Sequence, residues 1–133
     1  MDFGNNCIQV GTPSVAGDAE RWASAERLHV WRIDLAGVQS KAELLDAIAK
    51  GLSFPGYFGR NWDSLEECLR DFDEGKGWLV IFEHADSLLA LPRQELATFS
   101  GILSDTAEFW RGEGRVFCVL FVGSSNLLIA SIG

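Results

Sequence analysis

The sequence lacks the cysteine pattern of a disulfide framework or of a structural zinc site. Its cysteines are Cys7, Cys68 and Cys118, an odd number without the C-x-x-C spacing of metal and redox motifs. We therefore expect reduced thiols. We also expect neither a bound metal nor a cofactor.

Basic residues are also scarce. The chain has 11 Lys and Arg residues against 19 Asp and Glu residues, and its formal net charge is -8 at pH 7. A surface this acidic repels a phosphate backbone, so the composition argues against nucleic acid as a direct ligand. A protein partner of this chain should be basic.

Long apolar runs are missing as well. No stretch approaches the roughly 20 apolar residues that cross a membrane, and no basic segment precedes an apolar run at the N-terminus. We expect a soluble, cytoplasmic protein that makes no membrane contact. With 133 residues, of which 47% are hydrophobic, the chain suits one compact globular domain.

Strand and helix patterns alternate along the chain. The segment HVWRIDL alternates apolar with polar residues, and WLVIFEHA and RVFCVLFVG are apolar runs typical of strands buried on both faces. Residues 40–52 and 62–72 carry helical patterns, and residues 87–114 carry one or two more. This order predicts a small α/β domain, in which three parallel strands are joined by right-handed helical crossovers.

The segment FPGYFGRNWDSLEECLRDF, residues 54–72, concentrates the negative charge. Between positions 63 and 74, six acids stand against one base, a net charge of -5. Asp63 and Glu67 are spaced i, i+4, where like charges destabilise a helix by a few tenths of a kcal/mol. Local stability therefore does not explain the acids. An aromatic residue between two glycines, Tyr57, precedes them and can present its ring to a partner.

Plainer interpretations of this segment stay open. Asn61 or Asp63 can cap the helix, Asp63 together with Glu66 in a D-x-x-E box, and an acidic face can simply favour solubility. Catalysis by a pair of these carboxylates is disfavoured, because two acids on an open helix face would both stay ionised.

A metal-dependent enzyme is a further alternative. Glu83, His84 and Asp86 follow the second predicted strand, and the carboxyl end of a parallel strand is a usual place for a site. The chain has only 2 histidines, however, and no serine or cysteine has an evident base. We expect Asp86 to cap a helix, His84 to end the strand, and the chain to have no enzymatic activity.

The segment LSFPGYFGRNWDSLEECL, with a strand and a helix before it and a buried strand after it, resembles the barstar family of intracellular inhibitors of barnase-type microbial ribonucleases. The resemblance covers residues 29–122 and is carried by the pattern P-x-Y-F-G-x-N-x-D-x-L. It implies a three-stranded parallel sheet packed with helices. It also implies that the loop and the acidic helix plug a ribonuclease active site, with carboxylates where substrate phosphates would bind.

The resemblance also suggests which residues bind and what they bind. The partner would be a basic extracellular-type ribonuclease or ribonuclease toxin, and the chain would be its antitoxin or immunity protein, a monomer when free. A barstar-fold module that binds another basic protein is the remaining alternative. The candidate partner-binding residues are Tyr57, Gly59, Asn61, Asp63, Glu66, Glu67, Arg70 and Asp71.

The chain departs from the barstar pattern at three of these positions. Glu67 stands where barstar has an aspartate, Glu66 where it has a tryptophan, and Arg70 where it has a small hydroxyl residue. The two ends of the chain have no counterpart in barstar. We therefore divide the chain into an N-terminal extension, a barstar-like domain and a C-terminal tail, at residues 1–28, 29–122 and 123–133.

Overall fold

The computed structural model describes residues 8–53, 59, 61–71 and 75–123. This part of the chain alternates strands with helices. The elements are β1 (Ile8–Gly11), α1 (Pro13–Ala25), β2 (His29–Asp34), α2 (Lys41–Gly51), α3 (Trp62–Leu69), β3 (Gly77–Glu83), a 3₁₀ helix (Ala85–Ala90), α4 (Arg93–Gly112) and β4 (Val116–Val122). None of the helices in these ranges has the length and the apolar character needed to cross a membrane.

The strands form one parallel sheet in the order β1-β4-β3-β2. The predicted α/β class, with a parallel sheet packed by helices, is confirmed. The predicted count of three strands is corrected to four, because β1 pairs with β4 from Ile8 opposite Val119 to Gly11 opposite Val122. Strand β1 has only 4 residues, all of them half-buried, so the brief alternation in IQVG is too short to reveal a strand from the sequence.

The central strand β3 is buried on both faces of the sheet. Its side chains alternate, with Trp78, Val80 and Phe82 on one face and Leu79 and Ile81 on the other. The first face packs against α2, α3 and α4, and the second packs against α1. Helices on both faces explain why β3 is apolar along nearly its whole length.

Helix α1 covers the second face with small side chains. Ala16, Ala19 and Ala23 lie on one stripe and are buried against the sheet. Trp22 is half-buried and Leu28 is buried in the same layer. In the predicted N-terminal extension, β1 thus belongs to the sheet and α1 packs on it. Of the predicted tail at 123–133, residues 124–133 lie outside the described residues.

This packing makes Ala19 a sensitive position. Ala19→Glu would bury a carboxylate without a counter-charge, so we expect it to lower the free energy of unfolding by about 3–5 kcal/mol. Ala25→Glu is the matched control, since Ala25 ends the same helix and is exposed. Urea unfolding followed by circular dichroism measures both variants. Equal midpoints would show that α1 does not contribute to the core.

Candidate functional site

The candidate site begins where Asn61 caps α3. The Asn61 Oδ1 accepts a hydrogen bond from the Ser64 backbone N–H at 2.8 Å, and its Nδ2 donates to the Gly59 carbonyl at 3.3 Å. The interpretation of Asn61 as the helix cap is therefore confirmed, and Asp63 lies in the first turn instead. A Cβ at Gly59 would stand 2.7 Å from the Ser64 Oγ, so a larger residue there would require the Ser64 side chain to move.

An outer acidic row consists of Asp63 and Glu67 on the exposed side of α3 and of Asp71 just past the end of the helix. The three residues are exposed and follow one another at i, i+4 spacing. Within the part of the chain that the structure describes, no Lys, Arg or His forms an ion pair with any of them. Glu67 and Asp71 also lie near the negative end of the helix dipole. Glu67 and Asp71 are therefore in electrostatically unfavourable positions in the free protein, whereas Asp63, in the first turn, is favoured by the helix dipole.

Beside the outer acidic row, the negative charge of Glu66 is compensated by Arg70. The Arg70 Nη2 lies 3.0 Å from the Glu66 Oε1, and the Arg70 guanidinium stacks over the Phe109 ring, 5.2 Å from its centre. Both charged side chains are about one-third exposed, at 35% and 37%. This Glu66–Arg70 pair separates the outer acidic row from α4.

Helix α4 anchors both ends of α3. At the start, the Trp62 Nε1 donates to the Glu95 Oε2 at 2.9 Å, and at the end the Trp110 Nε1 donates to the Leu69 carbonyl at 3.0 Å. Glu95 is in the first turn of α4 and Trp110 near its end, so the two helices run side by side in the same direction. The face of α3 toward the core is buried, with Leu65, Cys68 and Leu69. The outer acidic row therefore sits on a rigid platform.

The cysteine of α3 is not a nucleophile. Burial raises the pKa of the Cys68 thiol, and the nearby carboxylates of Asp71 and Glu67 raise it further. The thiol therefore stays protonated at neutral pH and is poorly reactive. Cys68 and Cys118 are both buried and not disulfide-bonded, whereas Cys7 lies outside the described residues.

In the alternative metal site at the end of β3, His84 and Glu83 pair with other residues. The His84 Nδ1 lies 2.7 Å from the Asp34 Oδ1, while Glu83 pairs with Arg32 at 3.0 Å. The backbone N–H of Ala36 lowers the pKa of Asp34, and the His84 ring lowers it further. Among the described residues, no three His, Cys, Asp or Glu side chains are arranged to hold a metal ion.

The prediction that Asp86 caps the helix after β3 is also corrected. His84, not Asp86, occupies the cap position of the 3₁₀ helix, and its side chain makes no capping hydrogen bond. Asp86 lies two residues further along the chain, in the first turn. The chain turns sharply at His84, whose backbone φ is 55°, and this left-handed turn shifts the helix start by two residues.

Most of the predicted partner-binding residues lie together at the exposed surface of α3 and its cap. Their role in binding stays a prediction. Tyr57 lies outside the described residues, as do Phe58 and Phe72. The residues of α4 that position α3 had no sequence signal, because each contact joins positions more than thirty residues apart.

Comparison with known proteins gives a family and a fold. The family model described as Barstar (barnase inhibitor) matches residues 28–122. No curated protein matches the chain significantly. Two solved structures from Aeropyrum pernix are similar: the ORC2 protein in ADPNP–ADP complexes, with 15% identity and a TM-score of 0.55, and the ORC1 protein in complex with DNA, with 16% identity and a TM-score of 0.51.

These structural similarities concern the fold alone. The two matches cover 91% and 93% of this chain, but only 35% and 34% of the archaeal chains. The present chain therefore spans about a third of the length of either protein. At such low sequence identity, similarity of backbone does not carry function with it.

The capping role of Asn61 can be tested in the free protein. Asn61→Ala removes the acceptor for the Ser64 N–H, so we expect it to lower the free energy of unfolding by about 0.5–2 kcal/mol. Asn61→Asp and Asn61→Ser keep an oxygen at the same position and should retain most of the stability. Thermal unfolding of the three variants measures the difference. A loss shared equally by all three would contradict the capping geometry.

Proposed function

The chain belongs to the barstar family, and we propose that it inhibits a basic microbial ribonuclease as the antitoxin or immunity protein of that enzyme. The match over residues 28–122 confirms the predicted resemblance, and the family implies a ribonuclease partner in general terms. The observation that carries the more specific proposal is the outer acidic row, which is anchored by α4 and uncompensated among the described residues.

The chemistry of RNA cleavage explains why the outer acidic row suits a ribonuclease active site. A ribonuclease gathers cationic side chains around the scissile phosphate, and these cations repel one another when the site is empty. Asp63 and Glu67 are neighbours on a helix, with Cβ atoms about 5–6 Å apart, so both carboxylates can enter one cationic site. Charge-assisted hydrogen bonds to such cations are roughly twice as strong as neutral ones. The row thus replaces the substrate phosphates.

Rigidity makes this replacement efficient. Carboxylates on a helix that is fixed at both ends lose little conformational freedom when they bind, so less of the interaction energy is lost to ordering. The repulsion between Asp63 and Glu67 in the free protein is relieved when cations lie between them. Complementary charge also steers the encounter of the two proteins. Tyr57 and Gly59 would extend the contact on the loop side.

We also propose that the chain has no catalytic activity. We place it in the cytoplasm, as a monomer before it binds its target. The protonated Cys68 thiol and the pairing of His84 with Asp34 support the first part. Cys68 and Cys118 are buried and not disulfide-bonded, which is compatible with a reducing compartment. The further assignment of an extracellular-type target rests on the family alone.

Nucleotide binding, which similarity to an ORC2 protein in ADPNP–ADP complexes would suggest, is not favoured by the residues. Phosphate loops place several glycine N–H groups and a lysine between a strand and the following helix. Here a single residue, Thr12, separates β1 from α1, and Pro13 at the helix start has no N–H to offer. No lysine occurs in α1.

Inhibition of RNA cleavage tests the proposal. The purified chain should be titrated against barnase and a panel of other basic microbial ribonucleases, and we expect at least one enzyme to lose its activity at a 1:1 ratio. The purified chain should itself cleave no RNA. If it inhibits none of them at micromolar concentration, the inhibitor assignment fails, and a barstar-fold module for another basic protein becomes the better account.

Neutralising the outer acidic row should weaken the complex that is found. We expect Asp63→Asn and Glu67→Gln each to cost about 2–5 kcal/mol of binding, mainly through faster dissociation, because a cation is left buried without its counter-charge. Glu67→Gln should leave the free protein as stable or slightly more stable. Asp18→Asn on α1, beyond the opposite face of the sheet, is the matched control. Equal affinities for all three would make the row a solvated surface.

A further inference from the structure

Arg70 is the positive charge beside the outer acidic row, and its side chain is held in place. Glu66 binds its Nη2 at 3.0 Å, and the Phe109 ring lies under the guanidinium. Its Nε is buried and has no hydrogen-bond acceptor among the described residues. Because contacts on α3 and α4 both hold it, the guanidinium does not simply swing away when a partner approaches.

A purely structural role accounts for part of this arrangement. Arg70 follows the last residue of α3, where a cation interacts favourably with the helix dipole, and its i, i+4 pair with Glu66 stabilises the helix. That role uses only some of the hydrogen-bond donors of the Arg70 guanidinium. A guanidinium has five N–H donors, whereas Glu66 accepts from one nitrogen, and 35% of the side chain stays exposed. Donors are left for a partner.

The charge of Arg70 constrains that partner. A surface that is cationic everywhere would gain from the outer acidic row, but it would also place a like charge against the guanidinium that Glu66 and Phe109 hold beside that row. Like charges brought together at an interface oppose binding and exclude the wrong partners. The partner must therefore offer a negative or hydrogen-bond-accepting group next to its cations.

We propose that Arg70 is a specificity-determining residue that binds a carboxylate of the target, set beside the target's phosphate-binding cations. This inference rests on the proposed ribonuclease inhibition and narrows the class of enzyme. Cleavage of RNA through the 2′-hydroxyl needs a general base next to the scissile phosphate, and Glu or Asp is one of the groups that serve. Arg70 would select enzymes with a carboxylate at that place, which it can bind through two parallel N–H groups.

The direction in which Arg70→Ala changes the affinity distinguishes this specific role from unspecific electrostatic attraction. Arg70→Ala removes a positive charge from an acidic inhibitor, so unspecific attraction alone would make it bind a basic ribonuclease more tightly. We expect the opposite, a dissociation constant raised at least tenfold. Arg21→Ala on α1 makes the same change in net charge on the far side of the sheet, where Arg21 pairs with Asp18, and should leave affinity unchanged or slightly improved.

Variants of the enzyme identify the contact. The probe is the ribonuclease inhibited in the titration above, barnase first, with each active-site Asp or Glu changed in turn to its amide. We expect Arg70→Ala to couple at least tenfold with one of these changes and with no other. Arg70→Lys keeps the charge without the two-pronged geometry and should lose part of the same coupling. Melting temperatures confirm that each variant is folded.

Two results would overturn the proposal. One is unchanged or tighter binding by Arg70→Ala. The other is a loss of binding that couples to no carboxylate and that Glu66→Gln reproduces, since Arg70 would then act only by holding Glu66. Either result leaves the inhibitor assignment intact if the wild-type chain still inhibits the enzyme. Failure to inhibit any ribonuclease would remove both proposals together.

Discussion

The attachment of α3 to α4 is the constraint on which the rest of the account depends. An isolated helix of 8 residues is far too short to be stable in water, and its like charges weaken it further. Burial of Leu65, Cys68 and Leu69, together with the indole hydrogen bonds of Trp62 and Trp110, holds it in place. The core therefore supplies the stability that the acidic surface lacks.

The sheet and the helices packed on it hold α3 in place, but they do not determine which partner binds. The strand order and the helices on both faces give a fold similar to part of the archaeal ORC proteins, although the residues between β1 and α1 do not fit a phosphate loop. What distinguishes this chain lies on α3, where an uncompensated row and a compensated pair run side by side. Function is thus carried by a few side chains placed on a widely used scaffold.

Local signals in the sequence predict the local features of the structure well. The apolar runs of β3 and β4 and the Asn61 cap all follow from neighbouring residues. Contacts between distant segments had no such signal. The short strand β1, the pairing of His84 with Asp34 and the stacking of Arg70 on Phe109 each depend on how the elements meet.

The most direct test of the central claim, that the outer acidic row replaces phosphates, is the salt dependence of the two rate constants. Association and dissociation of the wild-type chain and an inhibited ribonuclease should be measured by stopped flow across a series of ionic strengths. The account predicts an association rate that falls steeply as salt screens the charges, while the dissociation rate changes little. An association rate independent of salt would contradict it.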